Sequence, residues 1–130
     1  RPVFIDVVRS YGWVALGSAL GGMARVALSH SLNRRGGTVF PVGTFAVNLA
    51  GCLLIGVFWG WAEGRFRWGP GVRLFLMAGF CGGFTTFSTF ALETAQLFKG
   101  GTPLLALLYV GGSAVLGVGL FWVGTVLGRY

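Results

Sequence analysis

Charged residues are scarce in this chain of 130 residues, which has ten basic and three acidic side chains, or 10% of the total. Ordinary soluble chains carry roughly 25%, so a soluble domain of this composition would lack the polar side chains to cover its surface. Proline is also scarce, with four residues, whereas hydrophobic residues make up 55%. These shortages exclude soluble, disordered and collagen-like classes. A helical membrane protein remains, in which frequent glycine, here 24 residues, is common.

Cysteine is almost absent as well, and this removes further function classes. Cys52 and Cys81 both lie in apolar runs, too far apart for a zinc site or a Cys-x-x-Cys motif, so we expect them to pack as small apolar residues. The net charge is +7, but no basic stripe with interleaved aromatic residues occurs, which argues against a nucleic-acid partner. A signal peptide is not expected, because the first apolar run is too long and contains Arg25.

Four long apolar runs are present, at residues 11–32, 42–62, 74–98 and 103–126. Each reaches the ~20 residues that cross a ~30 Å hydrocarbon core as a helix, and none alternates as a barrel strand does. We therefore predict an all-α membrane protein, with residues 1–130 forming a single four-span transmembrane domain in the lipid bilayer.

Four spans put both termini on one side of the membrane, and the basic residues favour neither side strongly. We count six on the side of the termini and four on the other: Arg1, Arg9, Arg65, Arg67, Arg73 and Arg129 against Arg25, Arg34, Arg35 and Lys99. So small a difference gives only a weak preference under the positive-inside rule. Insertion in both orientations and a single orientation with the termini inside both stay open.

Pairs of small residues four positions apart recur along the runs, a spacing that lets helices approach closely. They are Gly17/Gly21, Gly56/Gly60, Gly79/Gly83, Ser113/Gly117 and Gly124/Gly128. Because four helices in one small bundle hardly need so many contact faces, this surplus predicts a homo-oligomer.

Polar residues within the spans are functional candidates, because polar groups in hydrocarbon need partners. Thr44 and Asn48 share one face of the second span at a spacing of four residues, and Tyr109 and Ser113 do the same in the fourth. Asn48 is the most informative, since its amide has two donor hydrogens and an acceptor to satisfy. Two interpretations stay open for it: a hydrogen bond that holds the bundle together, or a place on an ion path.

The third span contains an unusual stretch at residues 79–90, which combines poor helix formers with four hydroxyl side chains and several phenylalanines. We predict a helix break around residues 82–85, where freed carbonyls suit a monovalent cation such as Na⁺ and a two-fold partner would double their number. The alternative is a kinked but uninterrupted helix.

The phenylalanines of that stretch lie close to hydroxyl groups. Phe87 and Phe90 share a helix face with Ser88 and Thr89 beside them, and the positive ring edges would favour a small anion. Core packing or lipid contact is the alternative.

Two charged residues lie near these candidates. Arg25 is interior to the first span, where it either snorkels towards the membrane surface or lines a wet vestibule. Glu93 follows Thr89 by one turn, and it either closes a hydrogen bond or flanks the pathway.

Three motifs together resemble one family. The stretch at residues 79–90, the sequence Gly-Thr-Phe-Ala-Val-Asn-Leu-Ala-Gly-Cys at 43–52 and Gly-Gly-Met-Ala-Arg at 21–25 resemble the Fluc/CrcB family of microbial fluoride channels, and the four-span layout matches along essentially the whole chain. The resemblance implies a passive, fluoride-selective channel and not an enzyme. It would export fluoride across the cytoplasmic (inner) membrane of a microbe and so lower its toxicity.

The same resemblance implies an assembly and a set of roles. The assembly is an antiparallel dual-topology homodimer with two pores and a structural, untransported Na⁺ at its centre, bound by the backbone carbonyls of Gly82 and Thr85. Phe87, Phe90 and Asn48 would line the pore with Thr44 nearby, and Tyr109 and Ser113 would continue the polar track. Where that track carries a further hydroxyl, this chain has Gly117.

Two other functions are considered. A small proton-coupled multidrug or cation transporter also has four spans, but such proteins need a membrane-embedded carboxylate; the first span has none and Glu93 lies late in the third. A non-transporting membrane assembly protein would use Asn48 and the hydroxyl row only to hold helices together.

Overall fold

The computed structural model describes residues 2–36, 39–64 and 67–130, and for residues 35 and 36 the backbone alone. Three of the helices are α1 (Val3–Gly36), α2 (Val42–Gly64) and α5 (Pro103–Arg129), and the broken third span lies between the last two. All four spans are long and apolar enough to cross a membrane. The prediction of an all-α chain with four such spans is thereby confirmed. Arg1 and Arg65, which enter the count of basic residues, lie outside the described residues, as does the side chain of Arg35.

The third span consists of two helices. The first, α3, covers residues 70–84 and contains a π-helix at Leu74–Cys81 between two short α-helical pieces, and the second, α4, covers Phe87–Lys99. Thr85 and Thr86 between them are extended, with φ/ψ of −88°/157° and −146°/116°. The predicted break is confirmed, at the C-terminal end of its expected window.

The glycines of the third span do not cause this break. Gly82 is helical, with φ −62° and ψ −39°, and its amide bonds the carbonyls of Met77 and Gly79. The poor helix propensity of glycine therefore predicted the position of the break approximately but not its cause. The cause lies in the hydrogen bonds of Thr85 and Thr86, which are described below.

Helices α2 and α5 pack tightly through glycines on both sides. A Cβ atom at Gly56 or Gly60 would collide with the backbone carbonyl of Phe121 or Thr125, and one at Gly124 or Gly128 would collide with a carbonyl of α2. Such close backbone approach is the usual role of small residues in membrane helices. At the ends of the pair, Arg129 and Glu63 form a 2.6 Å ion pair.

Helices α1 and α3 approach each other in the same way. A Cβ atom at Gly17 or Gly21 would meet the carbonyl of Phe75 or Phe80, and at Gly83 it would lie 2.7 Å from the carbonyl of Ser18. The glycine pairs are thus used inside one chain, because two close helix crossings need small residues on both partners. These contacts within one chain remove the surplus of such pairs as support for a homo-oligomer, which stays a prediction.

A matched pair of substitutions measures the α2–α5 crossing. We expect Gly60→Val to lower the free energy of unfolding by about 1–3 kcal/mol or more, because the new side chain must displace the Thr125 carbonyl. Gly119→Val is the control, since nothing lies within 4 Å of a Cβ atom there, and its effect should stay within about 0.5 kcal/mol. Equal losses in a detergent-unfolding titration of both variants would contradict the close crossing.

Candidate functional site

The side chain of Asn48 connects α2 to the break in the third span through two hydrogen bonds. The backbone amide of Thr86 donates to Asn48 Oδ1 at 2.8 Å, and Asn48 Nδ2 donates to the carbonyl of Thr86 at 3.2 Å. The amide therefore holds two helices together, as the first of its two interpretations requires. Because Nδ2 carries two hydrogens and has one partner among the described residues, a further donor is left for the second interpretation.

Thr86 also begins α4, a role that the sequence analysis missed. Its Oγ1 accepts from the amide of Thr89 at 3.2 Å and lies 3.2 Å from the hydroxyl of Thr89 and 3.4 Å from that of Ser88. A threonine that accepts from the third residue after it is a standard N-cap. The available signal was a hydroxyl residue directly before a renewed helical stretch, which we interpreted only as part of a hydroxyl row.

Carbonyls at the C-terminal end of α3 accept hydrogen bonds from other groups. The carbonyl of Cys81 accepts from both the amide and the hydroxyl of Thr85, each at 3.0 Å. The carbonyl of Gly83 accepts from Arg25 Nε at 3.1 Å. The guanidinium therefore reaches a helix C-terminus, where a positive charge is favourable. This contact explains how a charged side chain is accommodated within the first span.

An open cavity of about 310 Å³ lies beside the break. It is lined by residues of α2, α3 and the break: Asn48, Gly51, Cys52, Ile55, Met77, Cys81, Gly82, Thr85, Thr86 and Phe87. None of these carries a carboxylate, and the described residues contain no cluster of three His, Cys, Asp or Glu that could bind a metal. The cavity thus offers neutral oxygens and the sulfur atoms of two cysteines and a methionine as metal ligands, and of these only the oxygens suit a hard cation such as Na⁺.

Glu93 lies between the polar faces of α2 and α5. Its carboxylate accepts from Thr44 Oγ1 at 2.6 Å and from the hydroxyl of Tyr109 at 3.2 Å. Thr44 and Tyr109 are both buried and Glu93 is half-buried, so the three side chains form one polar cluster on three elements. Of the two expectations for Glu93, the hydrogen bond is present. This cluster brings together residues that the sequence assigned to separate faces.

Two variants of Glu93 separate its hydrogen bonds from its charge. Glu93→Leu leaves the hydroxyls of Thr44 and Tyr109 buried without their acceptor, which should cost about 1–3 kcal/mol of unfolding free energy. Glu93→Gln should cost less than about 1 kcal/mol, because an amide can accept from one hydroxyl and donate to the other. The detergent-unfolding titration measures both; a glutamine variant as unstable as the leucine variant would show that the charge, rather than the bonding, stabilises the cluster.

The aromatic rings of α4 form a continuous series. The centroids of Phe87 and Phe90 are 5.6 Å apart with the planes tilted by 42°, and Phe90 lies 4.9 Å from the ring of Tyr109. Phe90 belongs to the cluster around buried Leu97 and Tyr109, whereas Phe87 is 81% exposed. The series thus leads from buried Tyr109, a member of the Glu93 cluster, to the cavity that Phe87 lines.

The predicted track on α5 is only partly hydrogen-bonded. Ser113 Oγ is buried and has no hydrogen-bond partner among the described residues, one turn beyond Tyr109. At Gly117, the next position, a Cβ atom would lie 3.2 Å from Cys52 Sγ, so a thiol from α2 occupies the place next to the missing hydroxyl.

The family follows from comparison of the sequences. A family model described as "CrcB-like protein, Camphor Resistance (CrcB)" matches residues 12–125. The chain belongs to the CrcB family. The match to this family covers all four apolar spans, which is the extent that the sequence motifs indicated.

Curated CrcB-family relatives match nearly end to end, and each is called fluoride-specific ion channel FluC. The protein of Nitratidesulfovibrio vulgaris (Miyazaki F) is 44% identical over 116 residues, which is 89% of this chain and 94% of that one. That of Phocaeicola vulgatus is 46% identical over 115 residues, 88% and 91% of the two chains. That of Flavobacterium psychrophilum is 40% identical over 117 residues, 90% and 94%. The family is therefore one of ion channels and not of enzymes.

Proposed function

We propose that this protein is a passive, fluoride-selective channel. The observation that carries the proposal is a set of donors without a partner among the described residues, the second amide hydrogen of Asn48 and the buried Ser113 hydroxyl, together with the adjacent Phe87 and Phe90 rings. The fluoride-channel name of relatives at 40–46% identity supports fluoride as the permeant ion.

The chemistry of this path fits a small, strongly hydrated anion. A selective pore must replace the water of its ion with close donors, and it must bind the ion weakly enough to let it leave. Amide and hydroxyl hydrogens are the close donors. Ring edges carry only partial positive charge and therefore bind the ion weakly enough to release it. The residues that line the cavity beside Asn48 and Phe87 include no lysine or arginine, which supports a path without a fixed charge that would trap fluoride.

The proposed direction is export from the cytoplasm across the inner membrane. Hydrogen fluoride is a weak acid that crosses bilayers, so it enters from acidic surroundings and dissociates inside. A passive channel then lets the anion leave down its gradient and the membrane potential, which requires no coupling group. Export of this kind would lower the toxicity of fluoride.

A structural Na⁺ at the break is part of the proposal. Gly82 and Thr85 both line the open cavity, Gly82 is exposed, and nothing nearer than 3.9 Å would meet a Cβ atom there. The site therefore fits the ion in two respects: its donors are neutral oxygens, and its open side leaves room for the same residues of a second copy. When bound, Na⁺ would supply positive charge that holds those carbonyls together.

We further propose that the second copy is inserted in the opposite orientation, giving an antiparallel homodimer. The high exposure of Phe87 on a surface that also carries polar Ser88 supports coverage of this surface by protein rather than by lipid, because hydroxyls facing hydrocarbon are disfavoured. The near balance of basic residues on the two sides is compatible with both orientations.

Ion flux from liposomes tests the function. Purified protein in liposomes loaded with potassium fluoride should release fluoride to an external electrode when valinomycin carries the potassium, and liposomes loaded with potassium chloride should release far less chloride. Fluoride release without chloride release supports the channel. Proton-coupled drug exchange, or no flux at all, would replace it with the transporter or with the non-transporting assembly protein.

A further inference from the structure

The break in the third span removes two particular hydrogen bonds from the helix. In an uninterrupted α-helix, each amide bonds the carbonyl four residues earlier, so the amides of Thr86 and Thr89 would bond the carbonyls of Gly82 and Thr85. Instead, the Thr86 amide donates to Asn48 Oδ1 at 2.8 Å and the Thr89 amide donates to Thr86 Oγ1 at 3.2 Å. Two side chains thus take the donors that belong to those two carbonyls.

The neighbouring carbonyls are treated differently. Those of Cys81, Gly83 and Thr86 accept from Thr85, Arg25 and Asn48, respectively. The polar side chains around the break therefore donate to some carbonyls but take the amide donors of two others. Those two carbonyls belong to Gly82 and Thr85, which line the same open cavity.

We propose that Asn48 and Thr86 are positioning residues for Na⁺: by taking the amides of Thr86 and Thr89, their side chains leave the Gly82 and Thr85 carbonyls available to a monovalent cation. This inference rests on the proposed sodium site and adds the reason why that site exists. Neither side chain needs to touch the ion. Their acceptor atoms create the site by binding the two amides that would otherwise bond these carbonyls.

The proposal makes the acceptor atom decisive at both positions. Asn48→Leu has nearly the same size but no acceptor, so the Thr86 amide would return to the Gly82 carbonyl and close the helix. Asn48→Asp keeps an oxygen for that amide. Thr86→Val and Thr86→Ser form the corresponding pair for the Thr89 amide, since serine caps a helix as well as threonine does.

The test is the dependence of thermal unfolding on Na⁺, measured on the purified protein in detergent with choline replacing Na⁺ at constant ionic strength. A bound ion raises the unfolding midpoint with its concentration, so the midpoint of wild-type protein should stay level at low Na⁺ and rise with the logarithm of the Na⁺ concentration above the dissociation constant. In Asn48→Leu and Thr86→Val, the Na⁺ concentration at which this rise begins should increase by about tenfold or more. Thr86→Ser should keep the wild-type response, and Asn48→Asp should respond at the same or a lower Na⁺ concentration, because its carboxylate keeps the acceptor for the Thr86 amide and also attracts the cation.

Thr125→Val is the control for general destabilisation. Thr125 is buried and bonds the Phe121 carbonyl of its own helix, so this variant should unfold earlier at every Na⁺ concentration with an unchanged response. An unchanged response in Asn48→Leu and Thr86→Val would overturn the proposal. Should those two not fold, loss of the response in both Asn48→Asp and Thr86→Ser would overturn it.

The Na⁺ response and the fluoride flux of wild-type protein, measured separately, distinguish failure of this proposal from failure of the proposed function. No Na⁺ response in wild-type protein overturns the positioning role, whatever the fluoride flux. A Na⁺ response that is weakened in Asn48→Leu and Thr86→Val supports the positioning role even if wild-type protein conducts no fluoride, and that lack of conduction removes the channel function.

Discussion

Asn48→Asp should abolish fluoride flux while the chain still folds. The carboxylate keeps an oxygen for the Thr86 amide, which donates to Asn48 Oδ1 at 2.8 Å in the wild-type chain, so one of the two hydrogen bonds between α2 and the break is retained. It loses both amide hydrogens, including the one that no described residue uses, and it puts a negative charge on the cavity. A like charge 4 Å from fluoride costs about 4 kcal/mol at the effective dielectric of a protein surface, which lowers occupancy about a thousandfold.

The measurement is fluoride release from liposomes, with Asn33→Asp as the matched control. Asn33 Oδ1 accepts from the amide of Gly43 at 3.0 Å, so this substitution also places a carboxylate on a backbone amide, but outside the residues that line the cavity. We expect the control to keep most of the flux. Undiminished flux in Asn48→Asp would remove Asn48 from the path and leave it a purely structural role.

The sequence predicted the four spans well, because length and hydropathy decide whether a helix can cross a membrane. It predicted the ends less well. Helix α1 begins at Val3, eight residues before the expected run, because that run starts after the charged residues Asp6 and Arg9, whereas the helix continues through these and the apolar residues around them. Ser10, for example, bonds the carbonyl of Asp6 within the extended part.

The cause of the break could not be read from local sequence. Helix propensity pointed to the glycines, yet both remain helical, and the extended residues are Thr85 and Thr86. What decides the matter is the bond between Asn48 and Thr86, which are 38 positions apart. Periodicity indicates which face of a helix is polar, but it does not give the rotation of two helices that brings a particular amide to a particular backbone group.

The spacing of the glycines likewise could not show which helix they contact. A pair such as Gly56/Gly60 indicates that another backbone approaches, but the pattern is the same whether that backbone belongs to the same chain or to a second copy. The structure resolves the partner as α5 of the same chain. The case for a homodimer therefore depends on the exposed surface around Phe87 and on the open side of Gly82, rather than on the number of small residues.

The sequence predicted which residues belong to the site better than it predicted which of them bond to one another. Thr44, Glu93 and Tyr109 were each selected as polar residues within an apolar span, and the structure joins them in one cluster. Thr44 and Glu93 are 49 positions apart, so only the packing of α4 between α2 and α5 brings them together.

Phe87→Ile and Phe90→Ile should each lower fluoride flux by about tenfold. Isoleucine is apolar like phenylalanine, but it has no quadrupole and hence no positive ring edge. An aromatic interaction of up to ~1.5 kcal/mol corresponds to about a tenfold change in rate or occupancy. Phe→Met should have a milder effect, since its polarizable thioether and flexible chain partly replace the ring.

The two positions differ in what else they lose. Phe90 packs on the ring of Tyr109 at 4.9 Å, so Phe90→Ile should also lower the free energy of unfolding by about 1 kcal/mol. Phe87 is 81% exposed in the single chain and loses little packing there, which makes Phe87→Ile the cleaner test of ring chemistry. Phe98→Ile is the control on the same helix, because Phe98 is also exposed and does not line the cavity; it should conduct like wild-type protein. If liposomes containing Phe87→Ile and liposomes containing Phe90→Ile both release fluoride at the wild-type rate, neither ring edge contributes to conduction. The two rings would then have a packing role alone.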